Sequence, residues 1–198
     1  MPTKKDSWSA YTQQMDALLQ GLSFRDARGR ELDPARGFAL WRRLALDVRA
    51  SKGTIYLVGN GASASMASHF AADLAKNGKL HTQVFSDLSL ITAISNDMGY
   101  EHVFAEPLRR RGQRGDMLVA ISSSGQSPNV LAAVQIARRL KMNVVSLSAM
   151  KPGNTLRQSG NLNAYVAATT YGHAETCHAA ILHHWMDIVE TRNATRPR

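Results

Sequence analysis

The sequence predicts an α/β fold: a three-layer sandwich with a five-stranded, mostly parallel sheet and extra helices ahead of it. Two observations carry this. From Gly53 onward, short apolar runs alternate with segments of helical periodicity, the pattern of βαβ units. Two of those runs also end in turns rich in glycine or serine that open directly into helices, "GNGAS" after the first run and "SSSGQS" after the third. In such sheets the loops at the C-terminal ends of the strands are where ligands bind.

The elements follow in order. Helical periodicity covers 7–21 and 36–51, and Phe38, Leu40, Trp41, Leu44, Leu46 and Val48 give the second segment a broad apolar face. Between them "DPARG" reads as a loop and cap, with Asp33 before Pro34 at the helix start. Strands are predicted at 54–58, 82–85, 116–121, 143–148 and 163–167, each a short apolar run of the kind a buried parallel strand needs. Helices are predicted at 63–77, 89–111 with a break near Gly99, 127–141 and 173–191. Residues 150–161 read as loop with a little helix. The whole chain, 1–198, reads as one domain, with 1–52 as an N-terminal helical extension.

Composition narrows the function. Of the 198 residues 44% are hydrophobic and 20% charged, as in an ordinary globular protein, and no apolar run reaches the ~20 residues of a membrane helix. Lys4 and Lys5 precede no apolar stretch of signal-peptide type, so the expected location is the cytoplasm. The single cysteine, Cys177, excludes intrachain disulfides and reads as a buried, inert thiol. The net charge of +9 favours anionic partners. Its clusters, "RRRGQR" and "TRNATRPR", lack interleaved aromatic residues and read as a solvated helix end and a tail rather than a nucleic-acid surface.

The serine turn is the strongest chemical signal. Ser122, Ser123, Ser124 and Ser127 crowd one strand-to-helix turn, with Gly125 free to adopt unusual backbone angles. Ser127 is placed as the N-cap and Pro128 as the first helical residue. A phosphate there can accept from hydroxyls, backbone N–H groups and the helix N-terminus together. No Lys-Ser/Thr pair follows the glycine, so this is not a nucleoside-triphosphate loop, and "GNGASA" does not keep dinucleotide-binding register.

With these residues in view, "GNGASASMASHFAADL", "ISNDMGY" and "ISSSGQSPNVLAAV" resemble the sugar isomerase (SIS) domain, a flavodoxin-like fold, and in order and spacing its phosphoheptose isomerase branch. The resemblance runs from about residue 36 to residue 190. It implies conversion of sedoheptulose 7-phosphate to D-glycero-D-manno-heptose 7-phosphate through an enediol, toward the heptose of lipopolysaccharide or another glycan. It also implies a homotetramer with active sites at subunit interfaces. Asn60, Ser63 and Asp97 match substrate-contacting positions; for Asp97 a plain loop cap before Met98-Gly99 is the competing reading.

Aldose–ketose exchange needs a base for a C–H and groups that shuttle hydroxyl protons. His69 and Asp73, four apart, share one helical face, and Glu175 and His183 lie in the last helix. By resemblance Asp73, Glu175 and His183 are the acid–base group, and His69, Asp73, Glu175 and His183 are candidate Zn²⁺ ligands. Asp73 stands where the family has glutamate, Glu175 where it has glutamine, and Gly172 where it usually has aspartate. Residues 175 and 183 are ~12 Å apart along a continuous helix, so one ion can join them only through an irregular helix start or a neighbouring subunit. His173, His178 and His184 on the same helix read as packing residues. The alternative function is a SIS-fold module that senses phosphosugars or binds a protein such as a replication initiator, without catalysis.

Overall fold

The computed structural model describes residues 7–190; the basic segment 191–198 and the lysines at 4 and 5 lie outside the described residues. The core begins with strands whose every side chain is apolar or small. In β3 (Thr54–Val58), Ile55 and Leu57 face one side of the sheet while Tyr56 and Val58 face the other, and all four are buried. β5 (Met117–Ser122) is buried at all six positions and alternates in the same way. A strand covered on both faces needs no polar positions, which is why these runs read as continuously apolar.

β4 (His81–Gln83), β6 (Asn143–Ser148) and β7 (Leu162–Tyr165) complete a parallel set in the order β7-β6-β5-β3-β4. The sheet has seven strands rather than the five predicted. The two additional strands, β1 (Ser23–Asp26) and β2 (Glu31–Leu32), form a hairpin at the sheet edge, with β1 pairing antiparallel to β7 and β2 outermost. Their sequences, "SFRD" and "EL", carry no apolar alternation. Tertiary contacts hold them instead: Phe24 is fully buried, Arg25 pairs with Glu31 at 2.6 Å, and Asp26 accepts from the backbone N–H groups of Arg28 and Arg30 across the turn.

Helices cover both faces. On one lie α1 (Trp8–Gln20), α2 (Pro34–Ala50), α3 (Ala62–Lys76) and α7 (Tyr171–Glu190); on the other lie α4 (Leu88–Met98), α5 (Ala105–Arg111) and α6 (Pro128–Arg139). Asp33 caps α2 through the Arg36 N–H, with Pro34 at the first position as expected. The break near Gly99 is real, and this glycine has φ +99°. In the first layer the indole rings of Trp41 and Trp185 stack at 4.3 Å with no exposure, fastening α2 to α7. The arginine run ends α5, where Arg109 and Arg110 both pair with Glu106. Among the described residues no helix is long and apolar enough to cross a membrane.

The other histidines of α7 pack. His173 bonds Thr170 and stacks on Tyr11 at 4.6 Å, and His184 meets Phe38 edge-on. Cys177 is fully buried, which pushes its thiol pKa up. His178 is 1% exposed, and burial lowers its pKa from an ordinary 6.5 to about 4, offset only in part by the Ser148 backbone. The folded protein therefore keeps this ring neutral where the unfolded chain would bind a proton. Its contribution to stability is complete above pH 6.5, falls as pH drops toward 4, and costs roughly 3 kcal/mol across that window. Denaturant midpoints measured from pH 7 to pH 4 should decline, and His178→Gln should flatten part of that decline.

Candidate active site

β3 and β5 are neighbours, yet α3 leaves β3 toward one face and α6 leaves β5 toward the other. The sheet's direction of growth reverses here, and a crevice opens between the two strand-to-helix loops. Glycine permits the first loop. A Cβ on Gly59 would lie 2.6 Å from that of Ser63, and Gly61 has φ +53°. Both helices begin without a side-chain cap at this crevice, whereas Ser7, Asp33 and Asp87 cap α1, α2 and α4. Ser127 occupies the N-cap position of α6, but its hydroxyl turns instead to Ser122 Oγ at 3.0 Å. The predicted side-chain cap is therefore absent, and the hydroxyl is directed into the serine cluster.

The crevice holds a cavity of about 150 Å³ lined by Asn60, Ser63, Ser122, Ser123, Ser124, Ser127, Tyr171 and Glu175. Six expected binding residues and one expected catalytic carboxylate thus meet in one place. The wall behind them is built from Asn154, 1% exposed, whose Nδ2 donates to Ser148 Oγ and to the Ala149 and Lys151 carbonyls. The Ser123 carbonyl accepts from Ala149 N–H and the Gly125 carbonyl from Leu156 N–H, both at 3.0 Å. The serine loop is thereby fixed before any ligand arrives.

The other expected residues lie elsewhere. His69 Nε2 is 3.4 Å from Asp73 Oδ2, and the His69 and His183 rings are 5.7 Å apart, both beside Phe70. This second group is open to solvent, with the His69 side chain 54% exposed. α7 is one continuous helix, so Glu175 and His183 stay two turns apart and do not converge within one chain. Asp97 is exposed near the end of α4, accepts from Asn96 Nδ2 at 2.9 Å, and lines neither the serine cavity nor its neighbour described below.

The SIS domain model matches residues 37–149. A phosphoheptose isomerase of Helicobacter pylori is 35% identical over 153 residues, covering 74% of this chain and 79% of that protein. One from Helicobacter hepaticus is 37% identical over 145 residues, 70% of this chain and 74% of its own length. The solved phosphoheptose isomerase of Neisseria gonorrhoeae superposes with a TM-score of 0.80 at 29% identity, over 94% of this chain and 99% of that one.

The chain belongs to the SIS-domain phosphoheptose isomerase family.

Family membership sharpens the metal question. Imidazole nitrogens and carboxylates are donors that suit Zn²⁺. Among the described residues, however, no group of three or more histidine, cysteine, aspartate or glutamate side chains is arranged to hold an ion. The four anticipated ligands therefore do not form a metal site within one chain. Tyr171, Asn129 and Tyr100 are additional site residues. Tyr171 lies one turn before Glu175, and Tyr100 and Asn129 fall inside the "ISNDMGY" and "ISSSGQSPNVLAAV" stretches without being singled out there.

Gly125 is the most demanding position of the serine loop. Its φ is +63°, and an added Cβ would overlap the Asn154 side chain. Gly125→Ala should cost about 2–5 kcal/mol in urea unfolding, from left-handed strain and overpacking together. It should also abolish stabilisation by inorganic phosphate in a thermal melt.

Proposed function

We propose that this protein is an aldose–ketose isomerase of a seven-carbon sugar phosphate, converting sedoheptulose 7-phosphate to D-glycero-D-manno-heptose 7-phosphate in the cytoplasm. The observation that carries the reading is the serine cavity at the sheet's switch point, with Glu175 on its wall. Ser122, Ser123, Ser124 and Ser127 hold the phosphate with the uncapped start of α6. Asn60 and Ser63 bind along the sugar.

The chemical step moves a proton between adjacent carbons through an enediol. A carboxylate removes the carbon-bound proton, and His183 exchanges protons with the sugar oxygens. Glu175 lines the serine cavity, and Asp73 stands beside His69, whose ring lies 5.7 Å from that of His183. These two groups meet across a subunit contact of a homotetramer, where His69, Asp73, Glu175 and His183 would be the ligands of one Zn²⁺ per subunit. The surface of α4 supports association: none of its residues is buried, and Leu88 and Met98 are 73% and 46% exposed. The product serves a route to glycan heptose such as that of lipopolysaccharide.

Proton NMR of sedoheptulose 7-phosphate mixed with the purified protein, with and without Zn²⁺, should show aldose formation. Alanine at Asp73, Glu175 or His183 should cut turnover by at least about 10²-fold in folded protein. Turnover that survives all three changes sinks this division of roles. Binding of the phosphosugar without turnover points to a sensor, and absence of both points to a protein-binding module.

A further inference from the structure

Asn60 stands between two cavities: the serine cavity and an aromatic one of about 260 Å³ bordered by Phe85, Tyr100 and Phe104. Its side chain forms a reciprocal amide pair with Asn129. Asn60 Nδ2 donates to Asn129 Oδ1 at 2.9 Å, and Asn129 Nδ2 donates to Asn60 Oδ1 at 2.8 Å. Asn129 is 2% exposed and is the second residue of α6. Its Oδ1 also accepts from the Val130 N–H at 2.9 Å, which fixes the end of the amide that is oxygen. Reciprocity then fixes Asn60 as well. Asn60 Oδ1 takes a second donor, the Tyr100 hydroxyl, at 3.1 Å, so both of its acceptor sites are filled. The hydrogen-bonding capacity left on Asn60 is one N–H.

We propose that Asn129 is a positioning residue that holds the Asn60 amide as a donor to the oxygen-rich ligand of the serine cavity, and in doing so ties the glycine loop to the serine loop. The pair spans the switch point, linking a loop that feeds a helix on one face to a helix on the other. Without it, the Asn60 amide can rotate and present its carbonyl oxygen, which repels a phosphate or sugar oxygen. The inference rests on the sugar-phosphate reading above.

Asn129→Asp is the informative variant. It keeps the shape and the Val130 contact but replaces the donor that faces Asn60 Oδ1 with an acceptor. With sedoheptulose 7-phosphate as probe, the variant should raise KM about tenfold, the scale of one or two hydrogen bonds, and change kcat much less. In an Asn60→Ala background the same change should have almost no further effect. Equal effects in both backgrounds of Asn129→Ala, which adds no charge, would mean that Asn129 supports the fold alone, and an unchanged KM would also overturn the proposal. Asn129→Ala, run in parallel with circular dichroism, gives the same comparison if the aspartate variant does not fold. If the unsubstituted protein binds neither this sugar nor inorganic phosphate, the functional reading fails by itself. The clamp is then judged by NMR: the Asn60 side-chain N–H signals should exchange slowly and lose that protection in Asn129→Asp, and unaltered exchange would refute it.

Discussion

β3 and β5 lie side by side in parallel register from Ile55–Met117 to Val58–Ala120, and their following helices depart on opposite faces. The two chain segments separate where the strands end, and the space between them cannot be filled by either helix. Polar backbone at two helix starts is left facing that space, where it must meet water, side chains or a ligand. Small residues are the solution this sequence uses. Serine and glycine keep the crevice open, and their hydroxyls and N–H groups favour an anion. The partial positive charge of two helix termini adds to the same preference.

A cavity of this kind has value only if its walls do not move. Three supports fix them. Asn154 fills the space beneath Gly125 with every polar atom of its side chain engaged. Arg157 does similar work one turn later. It is 5% exposed, lies over the Tyr165 ring at 4.0 Å, and reaches Ser23 Oγ and the Pro152 carbonyl, so the edge hairpin is bonded to the loop behind the site. The third support is α7. Its buried face, from Ala174 through Trp185 to Val189, packs into the larger core and sets where Tyr171 and Glu175 stand.

Much of this was legible in the sequence, and the physical reason differs by element. Ile55–Val58 and Met117–Ile121 could be read because strands buried on both faces must be apolar throughout. The serine turn could be read because its residues are adjacent in the chain. The hairpin at 23–32 could not: one buried phenylalanine and two ion pairs, Arg25–Glu31 and Arg30–Asp26, specify it, and none of these has a period. Ser127 was legible as an N-cap position, but which partner its hydroxyl chose was settled by Ser122, five residues away. Asn129 and Tyr100 sit inside the recognised stretches, but their partner was illegible for the same reason in stronger form. Each acts on Asn60 across 69 and 40 residues of chain, through contacts that only the sheet order creates.

The straightness of α7 bears most directly on chemistry. A regular helix advances ~1.5 Å per residue, so it cannot bend Glu175 and His183 onto one substrate carbon or one ion. The chain accordingly carries two separate polar groups: a serine-lined cavity with a carboxylate on its wall, and an open group of two imidazoles and a carboxylate. The proposed homotetramer would cover this second group, and excluding water there would strengthen its electrostatic interactions. Asp73 and Glu175, the two carboxylates that by resemblance depart from the family pattern, fall one in each group. Asp73 carries the same charge beside His69 as a glutamate would, whereas Glu175 places one negative charge on the wall of the serine cavity. A carboxylate on that wall would repel a phosphate, so the proposed substrate would turn its reacting end, not its phosphate, toward Glu175.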